Sequence, residues 1–400
     1  MTVMNTIQTQ TQSTPTLPRS KDTDQPGFSL VFGPHEFDRI QNKAAAINQS
    51  ATVSQVESVL QSAKAGKTLS IDDLHILLSD TADALLEEMA VVARDITLRR
   101  FGRTMQMYAP MYLSNICYSN CTYCGFAYHN KIKRLTLTPA QIVADADVLY
   151  NQGMRHILLL TGEAYRETPV EYIGAACESI RDKFPSISIE VYPLKETDYR
   201  YLRQKGVDGL TVYQETYDPV RYKEVHLKGM KSNMTWRLDC PDRGGRAGLR
   251  KLSIGALLGL SDPTAEVVSL ATHARYLLKN YWQSQLSVSL PRLRPAEGLT
   301  DVPHIADRQY VRYWLALRLF LPDAGLTLST RESSQFRDQM MQICITQVSA
   351  GSHTEPGGYS GLDSTEQFSI DDNRSIAEVA KAIEAIGKEP VFTDWVTILK

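Results

Sequence analysis

Several features that would place a sequence in a common class are scarce or missing here. Six cysteines in 400 residues are too few for a disulfide scaffold. No run approaches the roughly 18 apolar residues that span a bilayer, and no basic segment followed by an apolar one opens the chain. A formal net charge of -2 gives no electrostatic reason to expect nucleic acid or an anionic membrane. We expect a soluble, cytoplasmic protein, with small neutral or zwitterionic ligands left as candidates.

The N-terminal quarter divides into a polar tail and a helical region. Residues 1–27 are rich in Thr, Gln, Ser and Pro and hold few large apolar side chains, so we expect a disordered tail. Apolar residues at helical spacing predict helices over 53–65 and 85–100, and Ser70 with Asp73 is typical of a capping box. We assign residues 28–104 to an N-terminal helical cap.

From residue 105 onward, short β-rich runs alternate with helical patterns. The predicted strands are 107–113, 156–161, 187–194, 210–216, 252–258, 286–293, 326–329 and 343–348. This alternation favours parallel βαβ units, and eight units favour a closed (β/α)8 barrel of the TIM type over an open doubly wound sheet. Conspicuous polar residues recur at strand C-terminal ends, the face on which barrel active sites are built. Residues 105–400 are therefore predicted to form an α/β barrel with a C-terminal closing segment.

Half of the cysteines fall within eight residues, in the loop after the first predicted strand. Cys117, Cys121 and Cys124 have the spacing C-x3-C-x2-C, and such clustered thiols indicate a metal site. A structural zinc would need a fourth ligand, for which His129 is a candidate. An iron–sulfur cluster held by three thiolates would instead leave one iron open to another ligand. The position of the loop at an active-site face favours the cluster.

The trio resembles the signature of the radical S-adenosylmethionine superfamily, C-x3-C-x-aromatic-C, with Tyr123 as the aromatic residue. The resemblance implies a 4Fe–4S cluster bound by the three cysteines, and S-adenosylmethionine bound to the open iron through its amino and carboxylate groups. It also implies a set of cofactor-binding residues: Tyr123, Gly125, Phe126, Thr161, Gly162, Glu163, Gln214, Glu215, Arg237 and Gly255.

The implied roles of these residues differ. Segment 161–163 looks like the one that binds the methionyl amino group, a task that suits the Glu163 carboxylate. Segment 213–216 is similar to the one that holds the ribose hydroxyls. Arg237 would pair with the methionyl carboxylate, and a surface salt bridge is its alternative. Segment 255–259 resembles an adenine-contacting stretch, and the glycine and phenylalanine after the third cysteine would cover the adenine from the cluster loop.

Several longer sequence segments narrow the resemblance to the aromatic amino acid lyases of this superfamily. They lie at 108–124, 130–134, 212–217, 291–295, 328–332 and 347–349, with 356–359 and 394–395 near the C-terminus, so the similarity covers roughly residues 80–400. It implies that L-tyrosine is cleaved at its Cα–Cβ bond to 2-iminoacetate and p-cresol, for the thiazole of thiamine. A 5′-deoxyadenosyl radical, made after one electron enters the cluster, would take a hydrogen from the tyrosine amino group.

A tyrosine substrate needs a cation for its carboxylate, and arginine offers a planar bidentate partner. Arg292 and Arg294, predicted on the sixth strand, and Arg331, predicted on the seventh, lie at the expected face. We expect Arg331 with Ser329 to anchor the head group, and a tyrosine five residues before the first cysteine to form a wall near the reacting amine. The candidate catalytic residues are Tyr112, Ser289, Arg292, Ser329 and Arg331. Ion pairs at the barrel rim are the alternative for each arginine.

The resemblance also implies partners: a low-potential electron donor of flavodoxin or ferredoxin type, and a thiazole synthase that would receive the hydrolysable imine. Rival functions are a tryptophan lyase, a tyrosine lyase of hydrogenase maturation, and a non-catalytic metal-stabilised binding protein. The maturation enzyme would carry a second cysteine-bound cluster, and no cysteine follows Cys344. Cys177, Cys240 and Cys344 are expected to be packing residues.

Overall fold

The computed structural model describes residues 25–393. The predicted tail up to residue 24 and the resemblance at 394–395 lie outside the described residues. The strands are β1 (Thr104–Ser114), β2 (His156–Thr161), β3 (Ser186–Glu190), β4 (Val207–Glu215), β5 (Lys251–Ala256), β6 (Gln285–Ser289), β7 (Gly325–Leu328), β8 (Gln347–Ser349) and β9 (Glu389–Val391).

The sheet closes on itself. Strands β1 to β8 pair in parallel around the ring, and pairing of β1 with β2 completes it, with Tyr112 opposite Leu160. Strand β9 adds only to the start of β1, opposite Thr104 to Gln106. The predicted (β/α)8 barrel is confirmed, with one additional short strand.

Alternation along the strands separates the core from the barrel interior. In β3, Ile187 and Ile189 are fully buried in the main hydrophobic core, whereas Ser188 and Glu190 line cavities inside the barrel. Successive side chains of a strand point to opposite faces, so the alternation in β3 gives this strand one apolar core face and one polar lumen face. The lumen is therefore lined with groups that can bind a ligand.

Helices surround the barrel and supply the other half of the core, including the fully buried Trp314. None of them, in the described part of the chain, is long and apolar enough to cross a membrane. The helices are α1 (Glu36–Ser50), α2 (Val53–Lys64), α3 (Ile71–Leu78), α4 (Leu86–Phe101), α5 (Pro139–Asn151), α6 (Val170–Ile180), α7 (Glu196–Gln204), α8 (Pro219–Val225), α9 (Met234–Leu238), α10 (Cys240–Arg246), α11 (Pro263–Asn280), α12 (Asp307–Phe320), α13 (Ser334–Ile343) and α14 (Ile376–Ala385), with 3-10 turns at Phe28–Leu30, Asp80–Leu85 and Met230–Ser232.

The N-terminal helices pack against the outside of the barrel. Helices α1 and α3 contact α11, while α4 contacts α12 and α13. Ser70 and Asp73 form the predicted capping box at the start of α3. In the described chain, none of these helices contributes a residue to the lining of the cavity at the C-terminal ends of the barrel strands. Their apolar faces are instead covered by the outer helix layer.

Some predicted strands extend too far. Residue Ile343 ends α13 and Cys344 follows it as the C-cap, so the last strand begins at Gln347 instead. An apolar run this short cannot be assigned to helix or strand by periodicity alone. Strands β6 and β7 end at Ser289 and Leu328, so the placement of Arg292, Arg294 and Arg331 on strands is wrong, and all three lie in the loops that follow.

Candidate active site

The C-terminal ends of the strands surround the main cavity, whose volume is about 110 Å³. Its wall includes Tyr112 from β1, Glu190 from β3, Glu215 from β4 and Arg331 after β7. Cys124 of the cysteine loop reaches the same cavity. This is the barrel face on which the sequence predicted an active site.

The cysteine loop is held by backbone hydrogen bonds to the last residue of α8 and to the segment after it. The amide of Asn120 donates to the Lys228 carbonyl at 2.9 Å, and that of Thr122 to the Val225 carbonyl at 3.0 Å. Cys121 is buried and the other two cysteines are half-buried, and none of the three forms a disulfide. The loop thus presents three free thiols beside the cavity, one of which lines it.

The donor set suits an iron–sulfur cluster better than a single ion. In residues 25–393, no group of three or more His, Cys, Asp or Glu side chains is placed to hold one metal ion. A 4Fe–4S cluster takes each thiolate on a different iron, so its three ligands need not meet at one point. His129, the candidate fourth zinc ligand, hydrogen-bonds Asn120 through Nδ1 instead.

Cys117 and Cys121 need a nearby cation in order to ionise. Burial and the nearby Glu163 raise the pKa of Cys117 to about 11, and burial raises the pKa of Cys121 well above its ordinary value. Thiolates at these positions therefore require the positive charge of a bound metal group. The three residues fit the cluster that the family resemblance implies.

Two glycines allow other segments to approach the cysteine loop closely. A Cβ on Gly162, just after β2, would lie 2.2 Å from the carbonyl oxygen of Ile116. A Cβ on Gly125 would lie 2.5 Å from the carbonyl oxygen of Gln367, which accepts a hydrogen bond from the Gly125 amide at 3.1 Å. Both predicted glycines thus serve close contacts between backbones.

The predicted carboxylates are joined to buried cations. Glu163 accepts hydrogen bonds from Arg237 Nη1 at 3.0 Å and from Ser119 Oγ at 2.9 Å. Glu215 accepts one from Lys231 Nζ at 2.7 Å, with Arg237 Nη2 at 3.7 Å. The structure therefore brings three residues predicted from separate phrases into one network beside the cysteine loop.

Glu215 has an unusual backbone. Its φ of 71° is the only positive value at a non-glycine residue in the described chain. Such strain persists where surrounding contacts impose it and clusters at functional sites. Burial alone would raise the pKa of Glu215, but Lys231 and Arg237 outweigh burial and hold that pKa below its ordinary value. The carboxylate is thus kept charged and aimed into the cavity.

Several polar neighbours were not predicted from the sequence. Lys231 lies in the 3-10 turn Met230–Ser232, where an isolated lysine gives no signal, and its ammonium lies 5.6 Å from the centre of the Tyr123 ring. His226 Nδ1 donates to the Tyr222 carbonyl at 2.8 Å, so Nε2 accepts from the Tyr123 hydroxyl at 2.7 Å. Burial and Lys231 lower the pKa of His226 to about 3, so this histidine is neutral.

Other predicted cofactor residues lie near the cavity without lining it. The hydroxyl of Thr161 and the amide nitrogen of Gln214 are buried with no hydrogen-bond partner in the described protein. Such groups are usually paired, so these two atoms are candidates for hydrogen bonds to a bound polar ligand. Phe126 packs its ring edge-on against Tyr112 at 5.8 Å. Gly255 leaves room for the Tyr213 ring, which a Cβ would meet at 2.8 Å.

The two preferred arginines have different surroundings. Arg331 lines the cavity with Ser329, and its guanidinium stacks on the Phe368 ring at 3.4 Å. Arg292 instead forms a two-point ion pair with Glu332, with Nε 3.0 Å from Oε1, and a second pair with Asp307. Arg292 does not line the cavity. It matches the rim ion pair that the sequence left as an alternative.

Of the remaining two candidate substrate-binding residues, only one lines the cavity. Ser289 donates to the Thr327 carbonyl at 3.1 Å and does not line the cavity. Tyr112 does line it, and its hydroxyl donates to Gln367 Oε1 at 2.7 Å. The amide of Gln367 also donates to Cys124 Sγ at 3.6 Å. The C-terminal segment therefore covers the cavity where the cluster loop meets β1.

Comparison with known proteins identifies the class first. Residues 111–271 match the model of the radical SAM superfamily, and residues 289–389 match the Biotin and Thiamin Synthesis associated domain. With the barrel and the cysteine loop, this match defines a radical S-adenosylmethionine enzyme. The 2-iminoacetate synthases of Escherichia coli (strain K12) and Salmonella typhimurium (strain LT2) are each 44% identical over 347 residues, 86% of this chain and 91% of theirs. The chain belongs to the 2-iminoacetate synthase family.

Solved structures agree with this assignment. The FeFe-hydrogenase maturase HydG of Carboxydothermus hydrogenoformans is 31% identical with a TM-score of 0.81, over 89% of this chain and 83% of its own. Another HydG crystal structure gives a TM-score of 0.85 at 29% identity, over 89% and 80%. Methylornithine synthase, at 21% identity and a TM-score of 0.69, shares the fold.

Proposed function

We propose that the protein cleaves the Cα–Cβ bond of L-tyrosine, giving 2-iminoacetate and p-cresol for the thiazole of thiamine. The observation that carries the proposal is the shared cavity, because Arg331 and Ser329 face the same space as Cys124 of the cluster loop. An amino acid whose carboxylate pairs with that guanidinium lies beside the metal-binding loop. The match to the 2-iminoacetate synthases supports tyrosine as the substrate.

The protein's own groups bind and enclose the reactants. When bound, the cluster and S-adenosylmethionine supply a 5′-deoxyadenosyl radical. Cys117, Cys121 and Cys124 would hold the cluster, and Glu163 and Glu215 would bind the cosubstrate's amino and hydroxyl groups. Arg331 orients the substrate amino acid so that a hydrogen of its amino group can be removed. The C-terminal segment lines the cavity with Gln367 and Phe368 and would keep water out of it.

We further infer a reducing, cytoplasmic setting and two protein partners. Three clustered free thiols suit a compartment in which disulfides do not persist. An electron donor of flavodoxin or ferredoxin type would supply the reducing electron. Since an imine hydrolyses readily, a thiazole synthase that receives it directly is the expected second partner.

An anaerobic assay tests the proposal. The reconstituted protein receives S-adenosylmethionine, a strong reductant, and either tyrosine or tryptophan. We expect p-cresol and 5′-deoxyadenosine with tyrosine alone. Turnover of tryptophan instead would assign a tryptophan lyase, and cyanide or carbon monoxide from tyrosine would assign the activity of a hydrogenase maturase.

A further inference from the structure

Glu190 is a carboxyl group inside the barrel without a protein partner. It is the last residue of β3 and lines the main cavity, level with Leu160 on the neighbouring strand. Within residues 25–393, its carboxyl forms no hydrogen bond or ion pair with another side chain. Burial raises the pKa of Tyr108, Tyr112 and Tyr213, and the charge of Glu190 adds to each shift, which places this carboxyl near three phenolic rings.

Two nearby cations are already paired with other groups. Lys231 donates to Glu215 at 2.7 Å. Arg237 donates to Glu163 at 3.0 Å and to the Tyr213 carbonyl at 2.7 Å. Both cations influence Glu190 through their charge but are held by other acceptors.

The third nearby cation, Arg331, differs from these two because its guanidinium has no acceptor within residues 25–393. The guanidinium of Arg331 stacks on Phe368 and makes no hydrogen bond or ion pair within the described residues. Arg331 and Glu190 therefore face one cavity as opposite charges that neither pair with each other nor with another side chain. Leaving ionised groups buried and unpaired is unfavourable, so such a pair is expected where a ligand supplies both partners.

A zwitterion is the ligand that satisfies both groups. We propose that Glu190 binds the α-ammonium group of the substrate amino acid while Arg331 binds its α-carboxylate. The inference rests on the proposed function and adds the group that positions the reacting nitrogen. It makes Glu190 a substrate-binding residue that separates amino acids from carboxylic acids without an amine.

The environment of Glu190 supports exchange of a proton with the amine. Burial, with a smaller contribution from Glu215, raises the pKa of Glu190 to about 7. A carboxylate there can accept one proton from the ammonium, which leaves a neutral amine and a carboxylic acid. The total charge of the cavity is unchanged by this transfer. Perturbed carboxyl groups of this kind are typical of binding and catalytic sites.

The competing arrangement places Glu190 against the phenol hydroxyl of the substrate. Binding measurements distinguish the two with three ligands: L-tyrosine, 3-(4-hydroxyphenyl)propionate, which lacks the amine, and L-phenylalanine, which lacks the hydroxyl. Anaerobic calorimetry is done on the reconstituted holoenzyme with S-adenosylmethionine but without reductant, so that no turnover occurs. The proteins are the wild type, Glu190→Gln, and Glu171→Gln as a control on the exposed side of α6.

We expect the wild type to bind tyrosine about 10- to 100-fold more tightly than the ligand without the amine. In Glu190→Gln this ratio should fall to within about 3-fold, with tyrosine affinity reduced and the tyrosine-to-phenylalanine ratio unchanged. Glu171→Gln should behave as the wild type. Because Glu190→Asp keeps the charge but shortens the side chain, it should give an intermediate ratio. Cluster absorbance checks that each variant is folded and carries its cluster.

Two results would overturn the inference while leaving the proposed function intact. One is a Glu190→Gln protein that keeps the full discrimination for the amine. The other is a variant that loses discrimination for the phenol hydroxyl instead, which would place Glu190 at the ring end of the substrate. A wild-type holoenzyme that binds no tyrosine would refute the proposed function itself, and the role of Glu190 with it.

Discussion

At the scale of single residues, the two arginines show what a sequence phrase can and cannot tell. Arg292 and Arg331 both follow a barrel strand and both suit a carboxylate. Only the folded chain shows that Glu332, which comes directly after Arg331 in sequence, pairs with Arg292. A partner 40 residues away leaves no local signal. Sequence reasoning therefore selected the right type of residue at two places, but it could not say which of the two arginines was free to bind a substrate.

Replacing each arginine by lysine separates their roles. Arg331→Lys should weaken tyrosine binding about 10- to 100-fold, because an ammonium cannot reproduce two parallel hydrogen bonds to a carboxylate. Its affinity for S-adenosylmethionine should be unchanged. Arg292→Lys, the matched control, should keep tyrosine affinity but lower the melting temperature. Anaerobic calorimetry measures the affinity and thermal unfolding the melting temperature. If Arg292→Lys lost tyrosine affinity while Arg331→Lys kept it, Arg331 would not be the residue that binds the carboxylate.

Tyrosine affinity should depend on pH through Glu190. With a pKa of about 7, its carboxyl is neutral below that pH and anionic above it, so only the higher pH provides a partner for an ammonium. Below the pKa, affinity should fall by up to about 10-fold per pH unit. The Glu190→Gln profile should be flat over about pH 6 to 8. The charged and titratable groups that face this carboxyl are Glu215, Lys231, Arg237, Arg331, Tyr108, Tyr112 and Tyr213.

A slope that persists in the Glu190→Gln protein would assign the titration to one of those neighbours.

Glu190 was not predicted from the sequence because its strand alternates serine and glutamate with isoleucine, a pattern typical of a half-exposed strand. In a closed barrel the polar face points into the lumen instead. Closure of the sheet, which no local pattern encodes, turns an ordinary polar position into a binding group.

At the scale of elements, the junction of β2 with the cysteine loop is the least tolerant of change. Gly162→Ala should place its Cβ against the Ile116 carbonyl and beside the Cys117 Cβ, so the loop must shift. We expect about 1–3 kcal/mol of destabilisation and reduced cluster loading, measured by thermal unfolding and by iron content. Gly33→Ala, where a Cβ meets nothing within 4 Å, is the control and should match the wild type. Full loading in Gly162→Ala would show that the close approach is not required.

The elements themselves were largely predictable. Period-two and period-3.6 patterns located the barrel strands and helices such as α5 and α12 because each has one face in a continuous core. Strand ends were less certain, since β6 and β7 end before the polar loop residues that the sequence assigned to them. Helix α1 was missed because it buries only Phe37 and Ile40, too few apolar positions for a periodic signal.

At the scale of the whole molecule, the cluster loop and the barrel core are separate. Cys121 packs in a small group with Tyr123, Val225 and Leu257, whereas Cys177 belongs to the main core. Cys121→Ala should therefore lose the cluster's absorbance and the activity while changing the free energy of unfolding by about 1 kcal/mol or less when cluster-free proteins are compared. Cys177→Ala should retain the absorbance. Its free energy of unfolding should fall by about 1–2 kcal/mol because the substitution leaves a buried cavity.

The opposite pairing of effects would contradict the ligand assignment. If Cys121→Ala kept the cluster, or Cys177→Ala lost it, the metal would lie elsewhere in the molecule. Absorbance of the reconstituted proteins and denaturant unfolding of the cluster-free forms provide both readouts from the same preparations. Such a result would also remove the reason for placing the substrate beside Cys124.

The central claim is that one cavity binds tyrosine and cleaves its Cα–Cβ bond. The most direct measurement is the product stoichiometry of an anaerobic reaction with L-tyrosine, reductant and S-adenosylmethionine. The account predicts equal amounts of p-cresol, 5′-deoxyadenosine and glyoxylate, the hydrolysis product of 2-iminoacetate, with neither cyanide nor carbon monoxide. Formation of 5′-deoxyadenosine without p-cresol, or of p-cresol together with cyanide, would contradict it.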